Sequence, residues 1–255
     1  MHPYEKGLYT HRTACRDCHH RSAAEHRDAF PENGQRACRT AGLCRPLKII
    51  GQVLHLYTQA NADSLPEAYY TETRTGGAAT YFIFNVDPTK PPQTRITGTF
   101  NLAPLWTRGY IDDGAVFYCP SNKRTAFSYE AYLGPQDWPS VDPAYANPSN
   151  PNSVRISFSY LPQSSQRKMT VGTKQFPAVA KKLSQTHPSR SICLDVLQAR
   201  ERMSHRRGGY AGANLLYSDA SVKFRQNPEV LDKQVYGSDP MQDPELWRTI
   251  VQGLE

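Results

Sequence analysis

The sequence predicts an α+β fold: one amphipathic helix packed on an antiparallel sheet, with long loops between short strands. Three observations carry this expectation. Leu47, Ile50, Val53, Leu54 and Tyr57, with Ile49 and Leu56 beside them, recur at three- and four-residue steps, the spacing of one helix face. Several short runs of branched and aromatic residues follow, each bounded by turn residues, as short strands are. A helix succeeded by such a series of strands is the order of a helix laid on a sheet.

The elements follow in turn. Asn61-Ala62-Asp63-Ser64 and Pro66 stop the helix. Ala79–Val86 is aromatic and branched and reads as a strand. Residues 87–93 form a proline-broken turn. A short helix over 101–110 ends near Gly109, and Ala115–Tyr118 reads as a strand running into Cys119-Pro120-Ser121-Asn122. Residues 134–153, rich in Pro, Asn and Asp, read as a long surface loop. Val154–Tyr160 alternates with period two, a half-buried strand. Ser191–Val196, Ala213–Tyr217 and Ser221–Phe224 are further strands, the last two joined by a tight turn at Asp219-Ala220. Asp243 caps and Pro244 opens a closing helix that runs to Leu254.

Composition narrows the class. The chain has 255 residues, 38% of them hydrophobic, lean beside about 45–50% in ordinary domains but enough for one core or two small ones. With 20 Pro and 16 Gly, it is neither collagen-like nor wholly disordered. No apolar run is long enough to span a membrane as written. Met1-His2-Pro3-Tyr4-Glu5-Lys6 is not followed by the apolar region of a secretory signal.

The net charge of +7 is uneven: residues 1–48 hold nine Lys/Arg against five acids, a net +4. Residues 1–44 therefore read as a polar, basic, disordered arm, and 45–255 as the globular domain. Aromatic residues are not interleaved with the basic ones, so no nucleic-acid partner is expected. Four of the six cysteines (Cys15, Cys18, Cys38, Cys44) lie in the arm. Cys119 and Cys193 alone form no disulfide framework; both read as buried thiols, and whether they pair is left open.

Two clusters invite a chemical reading. Cys15-Arg16-Asp17-Cys18-His19 has the spacing of c-type haem attachment. With His20, His26, Cys38 and Cys44 it could also supply zinc ligands. A small haem- or metal-binding protein is thus the alternative function. His205, Asp219, Ser218 and Asp195 can be drawn as a triad, yet no nucleophile elbow or oxyanion loop accompanies them. Gly208-Gly209 reads as a flexible turn, not a phosphate loop. No enzyme, catalytic residue or resident cofactor is expected.

Three segments resemble bacterial pseudopilins of the type II secretion class, in the branch with a C-terminal His…Asp-Gly motif. The first is Leu47–Tyr57 with Asn61 and Asp63; the second is Gly109-Tyr110-Ile111-Asp112-Asp113 with Val116–Ser121, including Cys119 and Pro120. The third is His205 with Gly212–Phe224, including Asn214 and Asp219. They cover most of 47–225 in the family's order. The resemblance implies a pilin-like fold and a non-enzymatic subunit of a secretion or pilus-like assembly. Its implied partners are other pseudopilins and the secretion machinery, at the periplasmic face of the inner membrane. The seven motif positions carry structural roles in this reading. The family separates its His from Asp-Gly by nine residues; here thirteen lie between His205 and Asp219, and Ala220 replaces the glycine.

A prepilin also carries a basic leader, a glycine, Phe-Thr-Leu-Ile-Glu and an apolar anchor. Here the leader-like Met1–Gly7 is followed by polar Leu8-Tyr9-Thr10-His11-Arg12. If Gly7 is GGG and Leu8–Arg12 are CTT TAC ACT CAT CGA, with matching codons through His26, a reading one base later gives Gly and then FTLIELLVVIAIIAVLLSI. Only the middle base of each shifted codon draws on codon freedom. Residues 8 to about 44 are therefore expected to be an out-of-frame translation, with frame restored before Leu47. The chain as written would then be soluble and unanchored.

Overall fold

The computed structural model describes residues 45–91, 93–122, 125–133, 137–146, 150–197, 205–207, 210–227, 230–231 and 243–255. The expectations about residues 1–44, Cys15, Cys18 and His19 among them, and about Gly208-Gly209 lie outside these. The described chain is mixed helix and antiparallel sheet, an α+β arrangement. Among the described residues no helix is long and apolar enough to cross a membrane.

The first helix, α1, spans Arg45–Ala60 and buries Leu47, Ile50, Val53, Leu54 and Tyr57, the stripe expected from periodicity. Asn61 Nδ2 donates to the Tyr57 carbonyl at 2.7 Å, and Ala62 and Asp63 turn through positive φ to end it. Its outward face, Lys48, Gln52, Leu56 and Gln59, is exposed. The short helix α2, Ala103–Thr107, ends before Gly109, whose φ of 72° is the left-handed exit glycine allows.

A three-stranded sheet has the order β2-β1-β3, with β1 Phe82–Val86, β2 Ile96–Thr99 and β3 Ser153–Arg155. The central sheet runs β10-β9-β7-β4, from β4 Phe158–Tyr160, β7 Ser191–Asp195, β9 Tyr210–Tyr217 and β10 Val222–Arg225. The short β8, His205–Arg207, also pairs with β9. A separate hairpin joins β5, Gln163–Val171, to β6, Lys174–Val179, through Gly172 at φ 61°. Helix α3, Pro244–Leu254, is capped as expected: Asp243 Oδ1 accepts from the Leu246 amide at 3.0 Å.

The central sheet is covered on both faces. Cys193 and Leu216 face the core built on α1, while Leu194, Leu215 and Tyr217 face a second core with α3 and the β5–β6 hairpin. Burial on both faces removes the period-two polar alternation that marks a half-exposed strand.

Four expectations are corrected. Ala115–Tyr118 is not a strand: Gly114–Phe117 is a 3-10 turn, opened by Asp113 Oδ1 accepting the Ala115 amide at 2.9 Å. Val154–Tyr160 is not one half-buried strand but β3 and β4 in different sheets. The Ile156 and Ser157 amides leave the ladder for the carbonyls of Tyr81 and Phe117, at 2.9 and 3.1 Å, and only Arg155 of the seven residues is not fully buried. The 134–153 segment is not wholly a surface loop, because Trp138, 8% exposed, inserts against Phe84, Trp106 and Phe117. The strand expected over Ala79–Val86 starts late, since Gly77–Thr80 is a 3-10 turn.

Candidate functional site

Strands β7 and β8 both lie antiparallel to β9, with Leu194 opposite Leu215 and His205 opposite Gly212. That register brings the last residue of β7, Asp195, and the first of β8, His205, together beside Asn214 of β9. Cys119, just past the 3-10 turn at Gly114–Phe117, completes the cluster from another part of the chain. Sheet register joins Asp195, His205 and Asn214, and the turn after Phe117 brings Cys119 to them from 86 residues before His205.

All contacts converge on one ring atom. His205 Nε2 lies 3.2 Å from Asp195 Oδ2, 3.5 Å from Cys119 Sγ and 2.7 Å from Asn214 Nδ2. Asp195 Oδ2 accepts the Asn214 backbone amide at 2.6 Å and its side-chain amide at 2.9 Å. The second oxygen, Asp195 Oδ1, is buried without a hydrogen bond. The side chains of His205 and Asp195 are 8% and 3% exposed. Burial opposes charge on His205, but hydrogen bonds to Asp195 and Cys119 outweigh it and push the imidazole up to about 10. Phe224 covers the ring edge-on at 5.9 Å between centroids, and it reaches His205 because Gly212 between them has no side chain.

This arrangement is not a nucleophilic triad. A Cys–His–acid relay needs thiol and carboxylate on different nitrogens of the imidazole, so that one orients the ring while the other is activated. Here both meet Nε2. The ligand atoms of Cys119, Asp195 and His205 lie within 4.8 Å of one another, a metal-ligand grouping.

The chain was compared with protein-family models, curated proteins and solved structures. Nothing matches. The reading therefore rests on the residues themselves.

The positions singled out from sequence fall into three places. Cys119, His205 and Asn214 meet in the cluster. Asp219 does not: it sits beyond the far end of β9, where Oδ1 accepts the Ser221 amide at 2.9 Å; the Ser221 side chain, then this amide, hold its carboxyl below the usual range. Ser218 stands in the same turn, its carbonyl taken by His55. The drawn triad of His205, Asp219, Ser218 and Asp195 is thus corrected to His205 with Asp195 alone. Tyr110 belongs to the α1 contact, its ring edge-on to Tyr57 at 5.6 Å, whereas Gly109 and Pro120 are exposed turn residues.

Cys119 and Cys193 are both buried free thiols, and burial pushes Cys193 far above the ordinary thiol range. Sequence reading missed how α1 grips the central sheet. His55 Nε2–H donates to the Ser218 carbonyl at 2.8 Å, and a Cβ on Gly51 would stand 2.7 Å from Leu216 Cδ1. A lone His and a lone Gly inside a helical pattern carry no spacing signal that could have revealed this. A groove of about 690 Å³ elsewhere has a buried floor at Tyr70, Met169 and Ala178 and exposed Glu67, Arg167 and Lys181; it brings together none of the residues singled out.

Proposed function

We propose that this chain is a pseudopilin-like, non-enzymatic structural subunit of a type II secretion or pilus-like assembly. The observation that carries the reading is the seating of α1. One face of the helix is buried on the central sheet through Gly51 and His55, and its outer stripe of Lys48, Gln52, Leu56 and Gln59 is left exposed. A helix that enters a sheet domain from the N-terminal side and keeps its outer stripe free is suited to be the lower half of a longer helix packed in a fibre. The segments resembling the family fall at α1, the α2 exit with the 3-10 turn after it, and the β8–β10 region.

The coding DNA tests this reading. Read one base later across Leu8–His26, it is expected to encode Phe-Thr-Leu-Ile-Glu and then an uninterrupted apolar run after Gly7. A compensating shift is expected between about Arg36 and Leu47. Stops in the shifted reading, or charged residues beyond the Glu of Phe-Thr-Leu-Ile-Glu, would overturn the proposal. With the shift repaired, the protein is expected to enter the membrane and to cross-link with pseudopilins; a repaired protein that stays unassembled beside the machinery would also count against it.

A further inference from the structure

We infer that Cys119, Asp195 and His205 form a buried zinc site that clamps three distant parts of the domain together. The inference is independent of the assembly reading above.

While Asp195 is ionised, the hydrogen-bonding groups of the cluster conflict in a way a cation would relieve. If His205 carries a proton on Nε2, that proton satisfies Asp195, but the N–H then confronts the Asn214 NH2 only 2.7 Å away. If Nε2 is bare, it accepts from Asn214 but turns its lone pair toward a carboxylate at 3.2 Å. Exchanging the Asn214 amide atoms sets its oxygen against Asp195 Oδ2 at 2.9 Å. With Asp195 as the carboxylate, each of these assignments leaves one repulsive contact buried, where like groups interact strongly. A divalent ion among the three ligands removes the conflict: Nε2, a thiolate and a carboxylate all direct lone pairs at it, and Asn214 keeps its two bonds to Asp195.

Two of the three ligand separations match zinc, and the third lies within 4.8 Å. Bond lengths of about 2.0–2.1 Å to imidazole nitrogen, 2.0–2.2 Å to carboxylate oxygen and 2.3 Å to thiolate give tetrahedral edges of about 3.4 Å for N···O and 3.6 Å for N···S. The observed edges are 3.2 and 3.5 Å. Asp195 is 2% exposed and its Oδ1 has no partner, so a second carboxylate oxygen is held ready at the cluster. One thiolate with one imidazole suits a borderline-soft ion over magnesium or calcium, which take oxygen ligands. Asn214 would act from behind, fixing the Asp195 carboxylate through two hydrogen bonds. The consequence is a clamp. The ion would tie the segment after Phe117 to the end of β7 and the start of β8, fixing where β8 lies on β9.

The test uses the full chain, reduced, with Cys15, Cys18, Cys38 and Cys44 changed to serine so that arm thiols take up no metal. Cobalt(II) is titrated in, and zinc is then added to displace it. The expected result is a thiolate-to-cobalt charge-transfer band with tetrahedral visible bands, saturating at one cobalt per chain and abolished by zinc. Cys119→Ser is expected to lose the charge-transfer band, while Cys193→Ala keeps it. Asn214→Ala should weaken binding about 10–100-fold. Zinc should also raise the melting temperature of the parent and not of Cys119→Ser. Absence of any cobalt–thiolate band in the folded parent would overturn the site, as would a band surviving Cys119→Ser. Should Cys119→Ser fail to fold by circular dichroism, the parent titration still decides, since Cys119 and Cys193 are then its only thiols and Cys193→Ala distinguishes them.

Discussion

At Ala220 the chain adopts φ 60°, in the turn between β9 and β10. The left-handed region costs an L-residue about 1–2 kcal/mol, because Cβ crowds the following carbonyl, and glycine is spared this. Ala220→Gly is therefore expected to stabilise the protein. Relief of the turn outweighs the extra freedom glycine gives the unfolded chain, about 0.4–1 kcal/mol. The net gain is about 0.5–1 kcal/mol, read as a higher urea midpoint at unchanged slope; a lower midpoint would refute the strain at this turn. The same residue limits what sequence could say. Asp219-Ala220 was legible as a turn, and the strain at alanine follows from its hand. The partner of His205 was not legible, because Asp195 reaches it only through the registers of β7 and β8 on β9, and a register is a property of the paired strands.

Helix α3 illustrates how an element is held at both ends. At its start Glu245 Oε2 accepts the Thr173 amide at 2.8 Å and the Thr173 hydroxyl at 3.0 Å, and Oε1 lies 3.2 Å from Lys174 Nζ. At its end Glu255 Oε1 accepts the Ser191 amide at 2.9 Å, and Oε2 meets Arg190 at 3.0 Å. Between them Arg248 is fully buried; Nη2 donates to the Pro177 carbonyl at 2.8 Å, and burial depresses the guanidinium to about 10. The Thr173 amide, then the contacts to Lys174 and the Thr173 hydroxyl, hold the Glu245 carboxyl below the ordinary glutamate value. A pKa lowered by folding gives stability that is complete above the unfolded value and lost as pH falls through the folded one. Glu245→Gln is thus expected to lower the urea midpoint near neutral pH, and the difference from the parent should shrink at about pH 3. An unchanged difference at both pH values would mean that charge at this position contributes nothing. Asp243-Pro244 announced the start of this helix in sequence, whereas the β5–β6 hairpin on which it rests was missed. Only Gly172 marks its turn, and the exposed polar run Glu-free from Ser165 to Lys168 shows no alternation.

For the molecule as a whole, the central sheet is the wall shared by two cores. Leu215 and Leu216 are adjacent on β9 and fully buried, yet they face opposite cores. Cutting either back to alanine leaves a cavity and should cost about 2–5 kcal/mol. Because one strand serves both, Leu215→Ala and Leu216→Ala are each expected to shift a single unfolding transition, seen together by near- and far-ultraviolet circular dichroism. Two separated transitions in either variant would show that the cores melt independently. The α+β class was legible because α1 has one clean stripe and the strands are short and turn-bounded. The two-sided sheet was not, because strands buried on both faces are simply apolar, and the break between β3 and β4 lies inside one such run.

The outermost strand of that sheet, β10, has a different significance once the chain is considered among its copies. Among the described residues it is the open border of the sheet, with Lys223, Phe224 and Arg225 all exposed. An unpaired strand border offers hydrogen-bonding groups to any passing extended segment, and charged side chains along it discourage such pairing. Lys223 and Arg225 flank Phe224, the exposed apolar side chain of this strand, so each approaching copy of this border meets like charge on either side of it. The strand that helps cover His205 from within thus also keeps the domain from stacking edge to edge on itself.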